Sequence, residues 1–593
     1  MSENIHEGGQ LRRMAHLLTP RKVITGLAVF VLAYLFIWPF VMLVIGAFLT
    51  TPYGGGEWTL DGFRTVLNDP RALRSTLSSF LFSGLVMVIS IAGGLFFAII
   101  TSRFKLRFGW LVLPAMVLIA CTPRLFYAFA WGMMGNPGSG FAANILRYFD
   151  IANPAWLTVY SWPGLVLVSS MKVTAVAYLL LSGPVRLLDR SLEDAAVMCG
   201  QTRLRAFFCI SLPLLAPSLL AIGMLLFVEG IQVFDFPAVL GSPAGITTLS
   251  TLINDFINTD VTPKWGAANA LSLVVVVVIA LLILLQSRLL GGRDFATVGG
   301  KARGADTAEI GKLAVLFDAI IVAFFAVAFV LPFLQILIGS LQPYFGLYTK
   351  LTTANYVAVI KDRDTLDALV SSLLISVGGG FLVVTLSFVM IYVMQRSKSR
   401  PTVALLKILS WLPATAPGIV LSIAFVWAYL STPLVRSLYG TPFLMLIALV
   451  IAHVPIAARA CEGIIVQVST SLDEAARVSG AGPWRAAAEI TARLCTPSLL
   501  GAWLLISLAI SGALDVVMML QTTNTQMVAT LSYSMFNNGD VAEAAALYVL
   551  FIGLLIAFMA ALIGLMMLLR TAASGFHWSG KAARPLAMEK TDV

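Results

Sequence analysis

Charge is scarce in this chain. Asp, Glu, Lys and Arg make up 11% of its 593 residues, where a soluble globular protein has about 25%. A water-soluble enzyme or binding domain is excluded, because 59% of the residues are hydrophobic and too few charges remain to cover a surface. Cysteine is scarcer still, at five residues. Cys121, Cys199, Cys209, Cys461 and Cys495 show no CxxC spacing and no pair in one outward loop, so they read as small apolar residues with no disulfide or metal framework. No phosphate-binding loop occurs. Lys301, Lys312 and Lys581 follow glycine but precede Ala, Leu and Ala, where nucleotide binding needs Ser or Thr. No basic run with interleaved aromatics accompanies the net charge of +10, which we read as membrane topology and phospholipid contact, with no nucleic-acid partner. No nucleophile–base constellation and no paired His or carboxylates at metal-ligand spacing stand out, so neither a catalytic nor a stable metal site is expected. The first residues lack an apolar stretch and cleavage site before the first span, which predicts no removable signal peptide.

What the chain does have is apolar length. Runs long enough to cross roughly 30 Å of hydrocarbon as helices occur near residues 24–50, 76–101, 109–134, 164–185, 214–240 and 267–290, and again near 313–340, 371–394, 404–430, 442–466, 498–520 and 545–569. The pattern predicts an all-α polytopic membrane protein of about 12 transmembrane helices in two six-helix halves. With the N-terminus in the cytoplasm, 27 Lys and Arg fall on the cytoplasmic side against nine outside. That bias places both termini in the cytoplasm. The expected organisation is a cytoplasmic segment at 1–23, a first repeat at 24–290, a cytoplasmic linker at 291–312, a second repeat at 313–569 and a tail at 570–593. The Gly- and charge-rich linker reads as a flexible tether.

The halves are copies. Ser191–Gly200 (SLEDAAVMCG) and Ser471–Gly480 (SLDEAARVSG) lie 280 residues apart, and the register continues through Arg205/Arg485, Ile210/Ile490 and Pro217/Pro497. Asp235/Asp515 and Asp260/Asp540 keep the same offset, and Ser78/Ser371 and Ser79/Ser372 repeat upstream. The expected product is a fused pseudo-dimer of two same-topology halves related by an axis along the membrane normal.

Each polar copy, within loops 186–213 and 467–497, reads as a short self-capped helix. Ser191 with Asp194 and Ser471 with Glu474 have capping-box spacing. Glu193, Asp194, Asp473 and Glu474 suit the positive end of the helix dipole. Ala195-Ala196 and Ala475-Ala476 keep one face thin for close approach by another protein, and Gly200 and Gly480 suit a left-handed C-terminal cap.

These residues carry a resemblance. The spacing Asp194-Ala-Ala, Gly200, Ile210, Leu212-Pro213 resembles the cytoplasmic signature of permease subunits in ABC importers that use a periplasmic binding protein. The second copy has Ala492-Arg493 where that family shows Leu-Pro. Within the family, the six-plus-six layout and the stretch Glu229–Asp260 followed by Trp265-Gly266-Ala267-Ala268 resemble the iron(III)-type branch, whose members serve ferric iron, thiamine, polyamines or aminophosphonates. The resemblance implies a type I importer permease fold, a bacterial inner-membrane location, and two cytoplasmic ATPase subunits that grip the loops at Ser191, Glu193, Asp194, Ala195, Ala196 and Gly200 and at Ser471, Asp473, Glu474, Ala475, Ala476 and Gly480. It also implies a periplasmic solute-binding protein, no cofactor on this chain, and ATP with Mg on the ATPases. The rival reading is a 12-helix secondary carrier driven by an ion gradient, which has no need of two matched cytoplasmic helices.

Charges inside the spans are costly, about 2.5–3.5 kcal/mol each on insertion scales, so Arg124, Lys172, Glu229, Asp235 and Asp515 are the candidate translocation path. Either Arg124 or Lys172 pairs with Glu229 or Asp235 as a structural bridge, or both cations line a path for an anionic solute or chelated metal. Pro123, Pro417 and Gly418 would kink or unwind their spans. His453 reads as a structural residue near a helix end. Trp156, Tyr160 and Trp162 read as interface anchors, with the binding protein as a second use for them and for Gly135–Gly140.

Overall fold

The structure is a computed structural model that describes residues 20–51, 56–150, 158–189, 191–290, 308–397, 399–522 and 525–577. The linker residues 291–307, Trp156 and both terminal segments lie outside the described residues. The first half contains α1 (Pro20–Gly46), α2 (Pro70–Arg103), α3 (Gly109–Cys121), α4 (Arg124–Met134), α5 (Trp162–Leu187), the short α6 (Ser191–Met198), α7 (Leu212–Gln232), α8 (Leu249–Asn258) and α9 (Trp265–Leu290). The second repeats the order: α10 (Lys312–Phe325) running on into α11 (Leu331–Ser340), then α12 (Arg363–Arg396), α13 (Arg400–Trp411), α14 (Gly418–Ser431), α15 (Pro442–Ile465), the short α16 (Thr470–Val478), α17 (Arg493–Ser511), α18 (Val528–Asn538) and α19 (Val541–His577).

Among the described residues, ten helices are long and apolar enough to cross a membrane. The third span of each half is broken, α3 to α4 by 98° and α13 to α14 by 113°. Proline explains both bends. Thr122 and Ala416 precede Pro123 and Pro417 and are extended, at ψ 129° and 137°. A residue before proline is pushed out of the helical region, and proline cannot donate to the turn before it. The expected span at 214–240 is shorter than its apolar run: α7 stops at Gln232, Val233 is extended, and a buried π-helical turn, Pro237–Gly241, follows.

A helix that ends inside a membrane leaves carbonyls without partners, and in hydrocarbon each must be satisfied by protein. At the end of α3, Lys172 Nζ on α5 donates to the carbonyls of Ile119 (2.8 Å), Ala120 (3.3 Å) and Thr122 (2.5 Å). At the second break, Gln232 Nε2 donates to the carbonyl of Ala414 (2.9 Å) from the other half.

The halves interlock through their first helices. α1 packs on α14, where Tyr34 Oη and Trp38 Nε1 both reach Thr432 Oγ1 at 3.0 and 3.2 Å. In return α11 packs on α4, with Gly339 against Met133 and Phe126 beside Phe333. Each of the two cores therefore draws on both halves. Near the start of the second half, Asp318 accepts from the amides of Arg107 (3.2 Å) and Phe108 (2.9 Å) in the α2–α3 turn. Within a half, small residues let helices approach. Gly94 of α2 lies against Ala177 and Tyr178 of α5, and Gly380 of α12 against Ser507 of α17. The repeated serines act alike: Ser79 accepts from the Leu249 amide and Ser372 from the Val528 amide, each at 2.8 Å.

Candidate functional site

The two copies of the polar segment form α6 and α16, short helices at the same end of the molecule as the α2–α3 turn. Both end in one geometry. Gly200 and Gly480 sit at φ +87° and +88°, a region open to glycine at little cost. The Gly200 and Gly480 amides bond the carbonyls of Val197 (2.9 Å) and Arg477 (3.1 Å), and the next amides, of Gln201 and Ala481, reach Ala196 (3.1 Å) and Ala476 (2.9 Å). That pair of bonds is a Schellman cap.

The helix starts differ from the expected capping boxes. Asp189 Oδ1 accepts from the Ser191 amide at 2.9 Å and Ser469 Oγ from the Ser471 amide at 3.3 Å. The caps therefore lie two residues before the serines that the spacing pointed to. The Ser191 amide holds the exposed Asp189 carboxyl below its usual range.

Glu193 and Asp473 have another task. Arg103, the last residue of α2, donates from Nη1 and Nη2 to Glu193 Oε2 and Oε1 at 2.5 and 2.6 Å. Arg396, the last residue of α12, donates from Nε to Asp473 Oδ2 at 2.8 Å. A hydroxyl closes each cluster: Ser211 donates to Glu193 Oε1, and Thr491 donates to Asp473 Oδ1 at 2.8 Å. Both hydroxyls sit in π-helical turns, Phe207–Ser211 and Ala487–Ala492, that lead into α7 and α17. The carboxylates are 14% and 4% exposed. Deleting one member of such a pair costs about 3 kcal/mol, because the other charge is left buried.

The neighbouring residues point outward. Asp194, Glu474, Ala195 and Ala475 are exposed, as are Leu192 and Met198 on α6 and Leu472 and Val478 on α16. Spacing of three residues places these apolar groups on one face, which no described part of the chain covers. A shallow cleft of about 310 Å³ between Ala476, Gly480, Arg485 and Glu489 borders the second copy.

A second polar cluster surrounds the two breaks. Arg124 opens α4 and pairs with Glu229 of α7. Both side chains are a third or more exposed. Asp235 and Asp515 also act electrostatically on the Arg124 guanidinium. Asp515, just after α17, has its carboxylate packed against Gly418 so closely that no Cβ would fit there. Three residues earlier, Gly512 lies against Pro123, which sets Asp515 between the two breaks. Asp235 is 3% exposed, and its Oδ1 has no hydrogen-bond partner. The ion pair belongs to one half only: at the repeat offsets, Gly418 and Ala509 stand where Arg124 and Glu229 do.

Two expectations need correction. Lys172 neither lines open space nor pairs with a carboxylate; it is 5% exposed and spends its ammonium on three carbonyls. His453 lies mid-helix in α15, near no helix end, with Nδ1 donating to the Leu449 carbonyl at 2.8 Å. Tyr160 bonds the Gly132 carbonyl at 3.1 Å. Among the described residues, no three His, Cys, Asp or Glu side chains converge in a way that could hold a metal. Arg103, Arg396, Ser211 and Thr491 were missed in the sequence as site residues. The signal was present, since Ser211 and Thr491 keep the 280-residue offset and an arginine ends each long helix.

Comparison with known proteins agrees with this architecture. The family model for the binding-protein-dependent transport system inner membrane component matches residues 90–291 and again 384–569. The chain is 23% identical over 525 residues to the ferric transport system permease protein FbpB of Actinobacillus pleuropneumoniae, covering 88% of this chain and 74% of that protein. It is 22% identical over 481 residues to the Fe(3+)-transport system permease protein FbpB 2 of Haemophilus influenzae, covering 80% and 86%. A single-half likeness also occurs. The trehalose/maltose transport system permease protein MalF of Thermococcus litoralis is 28% identical over 270 residues, 42% of this chain and 90% of that protein.

Proposed function

The chain belongs to the family of binding-protein-dependent transport system inner membrane components, the permease subunits of ABC importers, and we propose that its cargo is ferric iron. It is a multi-pass inner-membrane transport subunit with the family sequence present twice in one chain. Similarity to two ferric permeases over four-fifths or more of the chain supports the iron(III) reading.

In this reading α6 and α16 face the cytoplasm, as do both termini, and each is gripped by one of two identical ATPase subunits that hold ATP and Mg. Their exposed apolar faces and matched Schellman caps support paired docking. A periplasmic binding protein delivers cargo to the opposite end. Closure of the ATPases draws the two short helices together, and the interlocked halves, 24–290 and 313–569, rock about the breaks in the third spans. Arg124, Glu229 and Asp515 then line the route beside the buried Asp235, with two carboxylates against one guanidinium favouring a cation.

Uptake of radioactive ferric citrate by cells that express the permease with a cognate ATPase and binding protein tests the assignment. ATP-dependent uptake that survives collapse of the ion gradients is expected. Uptake that needs the gradient and no ATPase would favour the carrier, and ATP-driven uptake of another solute would remove iron alone.

A further inference from the structure

We propose that Glu193 with Arg103, and Asp473 with Arg396, are positioning residues that bolt each docking helix to its half, so that force applied to the helix moves α2 and α7, or α12 and α17, as one body. The proposal rests on the reading of α6 and α16 as ATPase docking points. A docking helix must show its apolar face to a partner, so that face cannot hold it to its own chain. On α6 and α16 the third residue of the repeat turns inward while the fourth, Asp194 or Glu474, turns outward. The inward acid then meets two elements at once. Its arginine ends a 34-residue helix that spans the molecule, and its hydroxyl partner begins the span that follows. Charge-assisted bonds of this kind are short and directional, which suits a joint that must transmit motion without slack.

The same three-part joint occurs in both halves with different acids, which argues that geometry rather than one residue type is retained. The joints are unequal. Each arginine lies over a ring, Arg103 5.5 Å from Phe207 and Arg396 5.8 Å from Tyr392, but Arg103 grips Glu193 with both Nη atoms. Arg396 bonds Asp473 through Nε, and its Nη2 is buried without a hydrogen-bond partner.

The test uses the whole importer, permease with ATPase and binding protein, in proteoliposomes, and reads ATP turnover stimulated by the binding protein; this readout does not depend on iron being the cargo. Glu193→Gln keeps size and removes charge. We expect the ATPase to co-purify as in wild type while stimulated turnover falls about tenfold, the equivalent of ~1.4 kcal/mol of lost coupling. Asp473→Asn should lower it in the same way. Glu193→Asp should recover most of the stimulation, because Asp fills this place in the second half. Unchanged stimulation in Glu193→Gln would overturn the proposal, as would a loss that Glu193→Asp fails to restore. Should wild type capture no ATPase, the docking reading falls. Hydrogen exchange on the permease alone then decides the joint: faster exchange in α6, with α2 and α7 unchanged, upholds it, and unchanged exchange in α6 refutes it.

Discussion

Gln232, the last residue of α7, donates its side-chain amide to the carbonyl oxygen of Ala414 at 2.9 Å, closing the broken helix of the opposite half. The equivalent break in the first half is closed from within, by Lys172. The first half thus completes its own interrupted span, while the second, where Thr415 donates to the Leu412 carbonyl, takes a further donor from its neighbour.

Replacing Gln232 with Leu keeps bulk but leaves the Ala414 carbonyl without this donor, at a cost of about 1–2 kcal/mol for a partly buried group. A lower thermal unfolding midpoint of the purified protein in detergent is the expected result. Lys172→Met should lower it further, since three carbonyls lose their donor. Equal midpoints for wild type and Gln232→Leu would show that this bridge between halves contributes nothing.

Gly200 and Gly480 have open space where a Cβ would point, so any penalty for replacing them is conformational. Valine at φ near +87° is strained by about 1–2 kcal/mol or more, whereas asparagine tolerates that region. Gly200→Val and Gly480→Val are expected to unwind the last turn of α6 and α16 and abolish stimulated ATP turnover, with membrane insertion intact. Gly200→Asn should retain most of it. Equal loss in both variants would point to a need for absent bulk instead of the backbone angle.

At the opposite end, Arg71 bonds Asp69 at 2.8 Å and Asp260 at 3.2 Å, and Lys264 bonds Asp260 at 2.8 Å. Hydrogen bonds from Arg71 hold both carboxyls below the ordinary value of 3.8. A carboxyl lowered in the folded state stabilises it above the unfolded value, and that stability is lost as acid protonates it. The network should therefore contribute fully at neutral pH and fade below pH 3.8. Partial exposure limits the effect to about 0.5–1 kcal/mol. Arg71→Met should flatten this part of the acid unfolding curve; a curve parallel to wild type through the same range would contradict it.

Features set by neighbouring residues could be read in advance. The breaks at Pro123 and Pro417 follow from proline sterics, and the stops at Gly200 and Gly480 from the one residue that favours positive φ. The candidate site was only half legible. The Ser-x-x-Asp and Ser-x-x-Glu spacings suggested reciprocal caps, but Asp189 and Ser469 do the capping and Asp194 and Glu474 stay exposed, while the acids just before them, Glu193 and Asp473, are taken by arginines 90 and 77 residues earlier. Lys172 was misread for a similar reason: its partners are backbone carbonyls, which carry no residue signature.

Composition alone decided the solvent, since a chain this poor in charge can bury its apolar surface only in lipid. Duplication alone decided that there would be two halves, and local backbone rules decided where each broken span and short helix would end. Folding in three dimensions decided which half supplies each partner. The exchange of α1 and α11 across the interface, the tie from Gln232 to Ala414 and the arginine grip on each docking helix join residues far apart in the chain. Such contacts depend on how helices cross, and helical periodicity specifies a face without specifying what meets it.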